Sequence, residues 1–431
     1  MSSVVVSGVL EPSAELVAME LAAQESAATR RREWIVLLVL AAVQFTSIVD
    51  FVVIMPLGPE LMRALQIGPW EFGLVVEAYT FAAGIAGLVA SSLVDRFPRR
   101  TAFLTLFAGF LIGTFLCAVA PTYQLLIVAR AITGCFGGIL GGIAMAIVGD
   151  VFPESHRGRA TGVLMSAFAI ASIVGVPFGL VLGQNFGWHV PFLALVALGV
   201  PVLGVGMWAL PRLDGHMQGH VGKIRVSPLA SLSATLRSAE NWKAFALMAS
   251  LMAGAFAVIP YINPYLVANV GVPEHYLPLF YISGGVLTLI TSPIVGKLAD
   301  RYGKLLLFRI IAPLSALMLI AITCMPPLPT ALAVLVVSGL FVTNSGRMVA
   351  AMAMVTSTVP SHSRGGFMSA NSSVQHIAAG VGTFFASWLI VEGPHGELQH
   401  FGAVGLVACG VTLLSVWLAG RLRPAVDVSE A

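Results

Sequence analysis

The chain reads as long apolar stretches separated by short polar breaks. Each apolar run is about twenty residues, the length a helix needs to cross the hydrocarbon core of a bilayer. Twelve are present. The first six are Trp34–Leu57, Phe72–Val94, Thr101–Ala120, Tyr123–Val148, Ala160–Gly183 and Pro191–Leu210. After a polar interval come Ala244–Val270, Leu277–Leu298, Leu305–Met325, Thr330–Thr356, Gly366–Val391 and Phe401–Gly420. A membrane β-strand would be half as long and would alternate apolar and polar positions. The pattern therefore predicts an all-α membrane protein with twelve transmembrane helices.

Composition agrees. Of 431 residues, 58% are hydrophobic and 10% charged, against roughly 45–50% and 25% in soluble domains. That excludes a water-soluble enzyme, a disordered scaffold and a secreted disulfide protein. A net charge of +3 gives no footprint for nucleic acid. Cys117, Cys135, Cys324 and Cys409 lie in apolar runs without metal-ligand spacing, so they read as packing residues. The first 33 residues hold Glu11, Glu15, Glu20 and Glu25 and no apolar core ahead of Arg30. They are not a secretory signal and read as a mobile tail.

Lys and Arg set orientation. With the N-terminus inside, every basic residue except Arg63, Arg130 and Arg347 falls in an inner segment or at an inner span end. Arg63 is in an outer loop; the other two are inside spans. Both termini are thus expected in the cytoplasm of a multi-pass protein, in a plasma membrane of the bacterial inner-membrane type. The domains follow: residues 1–33 a cytoplasmic tail, 34–210 a six-helix bundle, 211–243 a cytoplasmic linker, 244–422 a second bundle, 423–431 a tail.

The bundles repeat one another. Leu93-Val94-Asp95-Arg96-Phe97-Pro98-Arg99 follows the second span, and Leu298-Ala299-Asp300-Arg301-Tyr302-Gly303-Lys304 follows the eighth. Two spans later, Pro153 to Gly158 matches Pro360 to Gly365. A duplicated six-helix unit marks a transporter with its site between the repeats, near mid-membrane.

On these motifs the chain resembles the major facilitator superfamily, and within it the twelve-helix drug:proton antiporter group that includes sugar-efflux-like members. The resemblance runs from Trp34 to Leu422. The signature G-x-L-a-D-R-x-G-R is nearly intact at Gly296–Lys304, whereas its first copy has Ser91 and Pro98 where glycines are usual. The fourth span carries R-x-x-x-G as Arg130 and Gly134, with Gly138 a turn on. The fifth carries Gly175, Pro177 and Gly179, a variant of the antiporter motif with its Gly-Pro pair split. The resemblance implies two pseudo-symmetric six-helix bundles that rock about a central site. It also implies a monomer in the lipid bilayer that exchanges protons for a small-molecule substrate such as a drug, sugar or metabolite, without a cofactor or metal.

Ionisable groups inside a span are costly, about 2.5–3.5 kcal/mol at the centre by insertion scales. Those present are Asp50, Glu77, Arg130, Arg347 and His376. From the helical rise, Asp50, Glu77 and Arg130 come roughly 8–10 Å below the outer edge. An Asp50–Arg130 pair is then reasonable, and protonating the acid would free the arginine. A purely structural buried pair is the other reading. Gln44 and Ser47 share the Asp50 face at helical spacing. Glu77 is either a proton carrier or an acid at headgroup level. Arg347 and His376 come near mid-membrane. Asn344 and Thr343 share the Arg347 face, making it a candidate for holding an anionic or polar substrate group or a negative residue in the other half, or for capping buried carbonyls. His376 is a substrate contact, a proton carrier or a packing histidine. In span seven, Pro260 and Pro264 should bend the helix, and Tyr261, Asn263 and Tyr265 offer polar contacts for a gate or a substrate.

At the inner face, Asp95, Arg99 and Asp150 are expected to form a conformational latch, repeated as Asp300, Arg301 and Lys304. Ser357 stands where the second latch would need the acid that Asp150 supplies. The leading reading is proton-coupled efflux by alternating access; uptake or symport, and a non-transporting receptor with this fold, are the alternatives. No phosphate-binding loop or hydrolase motif is present, so neither ATP drive nor an enzyme is expected.

Overall fold

The computed structural model describes residues 14–93, 97–211, 238–359, 364–394 and 396–422. The first bundle has α1 (Ala14–Val53), α2 (Gly58–Leu65), α3 (Pro69–Leu93), α4 (Arg99–Val119), α5 (Tyr123–Val151), α6 (Glu154–Ile170), α7 (Val176–Phe186) and α8 (Val190–Ala209). The second has α9 (Ala239–Val258), α10 (Ile262–Tyr265), α11 (Leu277–Tyr302), α12 (Lys304–Thr323), α13 (Thr330–Ser357), α14 (Arg364–Leu389) and α15 (Phe401–Ala419). A hairpin of β1 (Val391–Glu392) and β2 (Leu398–Gln399) pairs antiparallel between α14 and α15. Two spans are composite. α6 and α7 are joined by a π-turn over Ala171–Gly175, and α9 and α10 by a 3₁₀ turn over Ile259–Tyr261. Each interruption sits at a proline, Pro177 or Pro260, which has no N–H to give the ladder. The interruption of the ladder expected in span seven is there.

Two helices start ahead of the spans they carry. α1 begins at Ala14, so the part of the tail next to the membrane is helical; Ala, Glu, Leu and Met dominate it, and these are strong helix formers. α9 begins at Ala239, inside the stretch read as linker. Eleven spans are long and apolar enough to cross a membrane among the described residues. The twelfth, α14, is as long at 26 residues, but Asn371, Ser372, Ser373, Gln375 and His376 make it more polar. It packs along α3 of the other half, where those groups meet protein rather than lipid.

The repeat motif is built two ways. Gly303 closes α11 with φ +96° and ψ +134°, a conformation that costs a side chain dearly. Pro98, at the matching position, is extended at φ −54° and ψ +128° and starts α4. Both turns reverse the chain between spans, so the first copy dispenses with its glycine.

Packing distinguishes the two faces. At the face carrying the 54–68, 271–276 and 390–400 connections, expected from the basic residues to be the outer one, one core spans both halves. Val53, Leu57, Phe72 and Leu180 join Tyr261, Leu266, Phe280 and Phe401 there. At the inner face each half has a core of its own, around Phe103, Phe107 and Ile147 in the first and Phe245, Phe308 and Phe367 in the second. The halves meet along α3 with α14 and along α6–α7 with α11.

Candidate functional site

Glycines bring the first site together. Gly134 lies one turn beyond Arg130 on α5 and touches the backbone of Tyr79 on α3, where a Cβ would collide. Gly138 does the same against Ala83, and Gly113 on α4 against Thr133 on α5. Three helices thereby approach α1 closely enough to enclose one ion pair.

Arg130 Nη1 donates to Asp50 Oδ2 at 2.8 Å and to the Asp50 carbonyl at 3.3 Å. The Thr114 hydroxyl donates to Asp50 Oδ1 at 3.1 Å. The Arg130 guanidinium also lies 4.6 Å from the centroid of the Tyr79 ring. Both charged side chains are completely buried. Two Arg130 donors, Nε and Nη2, have no hydrogen-bond partner among the described residues. Buried polar groups are nearly always paired, so these two donors remain available to an acceptor that the described residues do not supply. Gln44, two turns before Asp50, also keeps its buried Oε1 unpartnered.

Phe51, next to Asp50, reaches the other half. Its ring centroid is 5.0 Å from Tyr79, 5.7 Å from Phe256 and 6.5 Å from His376. His376 is half-buried and its Nδ1 pairs with the Ser372 carbonyl at 2.9 Å. Nothing in the hydropathy pattern singles out Phe51, Tyr79 or Thr114; their roles arise from which faces the glycines press together.

Glu77 lies two turns into α3, which begins at Pro69. It is 3% exposed, and Oε1 accepts from the Ser387 hydroxyl of α14 at 3.2 Å. No cation pairs with it among the described residues.

The span-seven polar groups sit in the outer seam. The Tyr261 phenol donates to the Pro69 carbonyl at 3.1 Å, and Asn263 Nδ2 to the Pro56 carbonyl at 3.3 Å, both across the halves. Tyr265 stays within its own half and donates to the Met325 carbonyl at 3.0 Å. Further out, Arg63 and Glu274 form a two-bond ion pair between halves, one bond being Nη2 to Oε2 at 2.9 Å. Gln184 Nε2 donates to the Glu274 carbonyl at 2.7 Å. This bridge was not anticipated, although Arg63 stands out as the lone basic residue of the outer loops. Burial pushes the neighbouring Glu60 carboxyl up, while Arg63 pulls it down.

Arg347 is separate from all of this. Nε and Nη2 both donate to Asn344 Oδ1, at 3.0 and 2.7 Å, Nη1 donates to Thr412 Oγ1 at 3.0 Å, and Nη2 to the Leu251 carbonyl at 3.5 Å. Every partner is neutral and belongs to the second half. The structure does not bring Arg347 to Asp50.

At the inner face, Arg99 Nε pairs with Asp150 Oδ2 at 2.6 Å; Asp95 lies outside the described residues. In the second copy Lys304 Nζ donates to the Ala353 carbonyl at 3.2 Å, Arg301 stacks on its neighbour Tyr302 at 5.3 Å, and Asp300 is exposed. Without an acid at Ser357, Lys304 settles on a backbone oxygen. Gly175 and Gly179 let α7 close on Val49 and Val53 of α1, and Pro177 starts α7.

The family model of the Major Facilitator Superfamily matches residues 40–383 and again 245–430. The chain is 25% identical to an uncharacterized MFS-type transporter, YtbD, of Bacillus subtilis over 381 residues, 86% of this chain and 92% of that one. It is 27% identical to the inner membrane transport protein YdhP of Escherichia coli K12 over 254 residues, 57% of this chain and 62% of that one. Its fold is similar to the crystal structure of a bacterial homolog of the human lysosomal transporter Spinster in an inward-facing, unoccupied conformation. The TM-score is 0.69 at 16% identity, covering 92% of this chain and 99% of the other. With twelve membrane helices in two related halves and a family match that runs through both, the chain belongs to the Major Facilitator Superfamily.

Proposed function

We propose that this transporter exports a small organic molecule in exchange for protons, with Asp50 as the proton-coupling acid. The observation that carries the reading is the buried Asp50–Arg130 pair with two unused arginine donors, set against an aromatic bridge between the halves. A charge pair sealed in low dielectric is held by its mutual attraction. Protonating Asp50 removes that attraction and leaves Arg130 to seek another acceptor. Phe51 and Tyr79 flank the pair, so its rearrangement acts directly on the packing across the seam.

The joined outer core and divided inner cores support an inward-facing state. Substrate then enters between the halves from the cytoplasm and reaches Gln44, Asn344 and His376, which are half-buried. Arg347 orders Asn344 from behind. Tyr261 and Asn263 act as the outer gate. Glu77, held by Ser387 across the seam, is a second acid whose protonation state the closure senses. Arg99 and Asp150, with Asp95, form the inner latch, and Asp300, Arg301 and Lys304 its weaker copy.

The test is flux in proteoliposomes under an imposed pH gradient, comparing the natural chain with Asp50→Asn. Gradient-driven flux should fall roughly 5- to 150-fold, the range of typical coupling energies. Equal, gradient-dependent flux in both proteins would remove Asp50 from the mechanism.

A further inference from the structure

A cleft at the inner face, far from the seam, has the makings of a lipid site. Between α12 and α15 lies an open cavity of about 440 Å³, with Arg309, Pro313, Leu413, Val416, Trp417 and Arg421 on its walls. Three local features open it. Pro313 has no N–H for the Arg309 carbonyl one turn below, which loosens α12 at that level. Gly420 ends α15 without a side chain, and a Cβ there would meet Arg309 Nη2 at 3.0 Å, so the guanidinium rests against the helix end. The Arg421 guanidinium lies 3.8 Å from the Trp417 ring centroid, which turns it back toward the same cleft.

Both arginines are exposed. Among the described residues neither has an ion pair or a side-chain hydrogen bond. Below them the wall is apolar: Leu413 is 47% exposed and Trp417 52% exposed, on a surface that faces acyl chains in a bilayer. One arginine at a helix C-terminus is explained by the helix dipole, and basic residues at an inner span end by topology. Neither explains why guanidiniums from two helices converge over an apolar floor, with an interfacial tryptophan at the rim. That combination matches an amphiphile with an anionic head above hydrocarbon chains.

We infer that this cleft binds the headgroup phosphate of an anionic phospholipid of the inner leaflet, with Arg309 and Arg421 on the phosphate oxygens and the acyl chains over Leu413 and Val416. The site does not depend on the transport mechanism proposed above.

The experiment is native mass spectrometry of the full chain in detergent, titrated with phosphatidylglycerol or phosphatidylcholine, and then with glycerol 3-phosphate as a soluble competitor. Phosphatidylglycerol should be retained in preference to phosphatidylcholine. Arg309→Gln or Arg421→Gln should each lower its retention about fivefold, and the two together about thirtyfold, as expected for one surface cation each. Phosphatidylcholine retention should not change, and Lys297→Gln, an exposed basic residue on α11 outside the cleft, should retain phosphatidylglycerol normally. If the double variant does not purify, the single variants carry the test. Equal retention of the two lipids by the natural chain would overturn the assignment, as would undiminished phosphatidylglycerol in the arginine variants. Displacement of phosphatidylglycerol by glycerol 3-phosphate would mark a site for soluble anions and overturn the lipid assignment too.

Discussion

A guanidinium sealed inside a membrane bundle must have its charge and its five donors answered by protein, and the chain meets that demand in two ways. Arg130 has an acid, Asp50, and leaves two donors unused. Arg347 has neutral partners and engages Nε, Nη1 and Nη2. The first arrangement can change when a proton arrives; the second is suited to holding geometry. Removing one partner of a buried pair strands the other charge. Asp50→Asn should therefore lower stability by about 3–5 kcal/mol, and Arg130→Met by less, because a stranded carboxylate can take up a proton whereas a stranded guanidinium cannot lose one. Thermal unfolding in detergent separates the two, and equal losses would count against a charged pair. Arg347→Lys should lose about 1.5–3 kcal/mol, since an ammonium cannot reproduce the forked contact to Asn344, while the pH dependence of flux stays unchanged.

At the scale of elements, close approach of helices is the controlling quantity. Gly134 is where α5 touches the Tyr79 backbone, and a methyl group there meets main chain that cannot rotate away. Gly134→Ala should cost about 1–3 kcal/mol and loosen Arg130 from Tyr79, seen as a lower melting temperature together with faster inner-to-outer exchange. Gly303→Ala should cost about 1–3 kcal/mol through its φ of +96°, whereas Pro98→Ala, extended at the matching turn, should cost far less. Much of this was legible beforehand. Twenty-residue apolar runs give the spans, the paired D-R motifs give the repeat, and Arg130 with Gly134 marks a helix contact. The partner of Gly134 was not legible, because a glycine reports that something is close without saying what. Tyr79 and Phe51 look like ordinary span aromatics until helix rotation is known.

The whole molecule is two bundles tied at one end, so its conformational balance depends on what spans the seam. Apolar packing and the Tyr261 and Asn263 bonds supply the inner part of the outer closure. The rim is held by Arg63 and Glu274, with Gln184 of α7 donating to the Glu274 carbonyl. Glu60, next to this pair, has a carboxyl raised by burial when the rim is closed. A group with a higher pKa in the closed form binds protons more tightly there. Acidification through its range therefore favours closure, and rising pH opens the rim; Glu60→Gln should flatten that dependence. The ion pair itself is partly exposed, and such pairs contribute about 0.2–1 kcal/mol. Glu274→Gln should thus raise the outward-open population by no more than about fivefold, read as a lengthening spin-label distance between α2 and the 274–276 turn. Arg63→Glu should open the rim further, by setting like charges opposite each other. The double exchange Arg63→Glu with Glu274→Arg should restore the closed distance, because it rebuilds the attraction with its sign pattern reversed. If the exchange leaves the rim as open as Arg63→Glu alone does, the closure belongs to the apolar seam and the two charges are spectators.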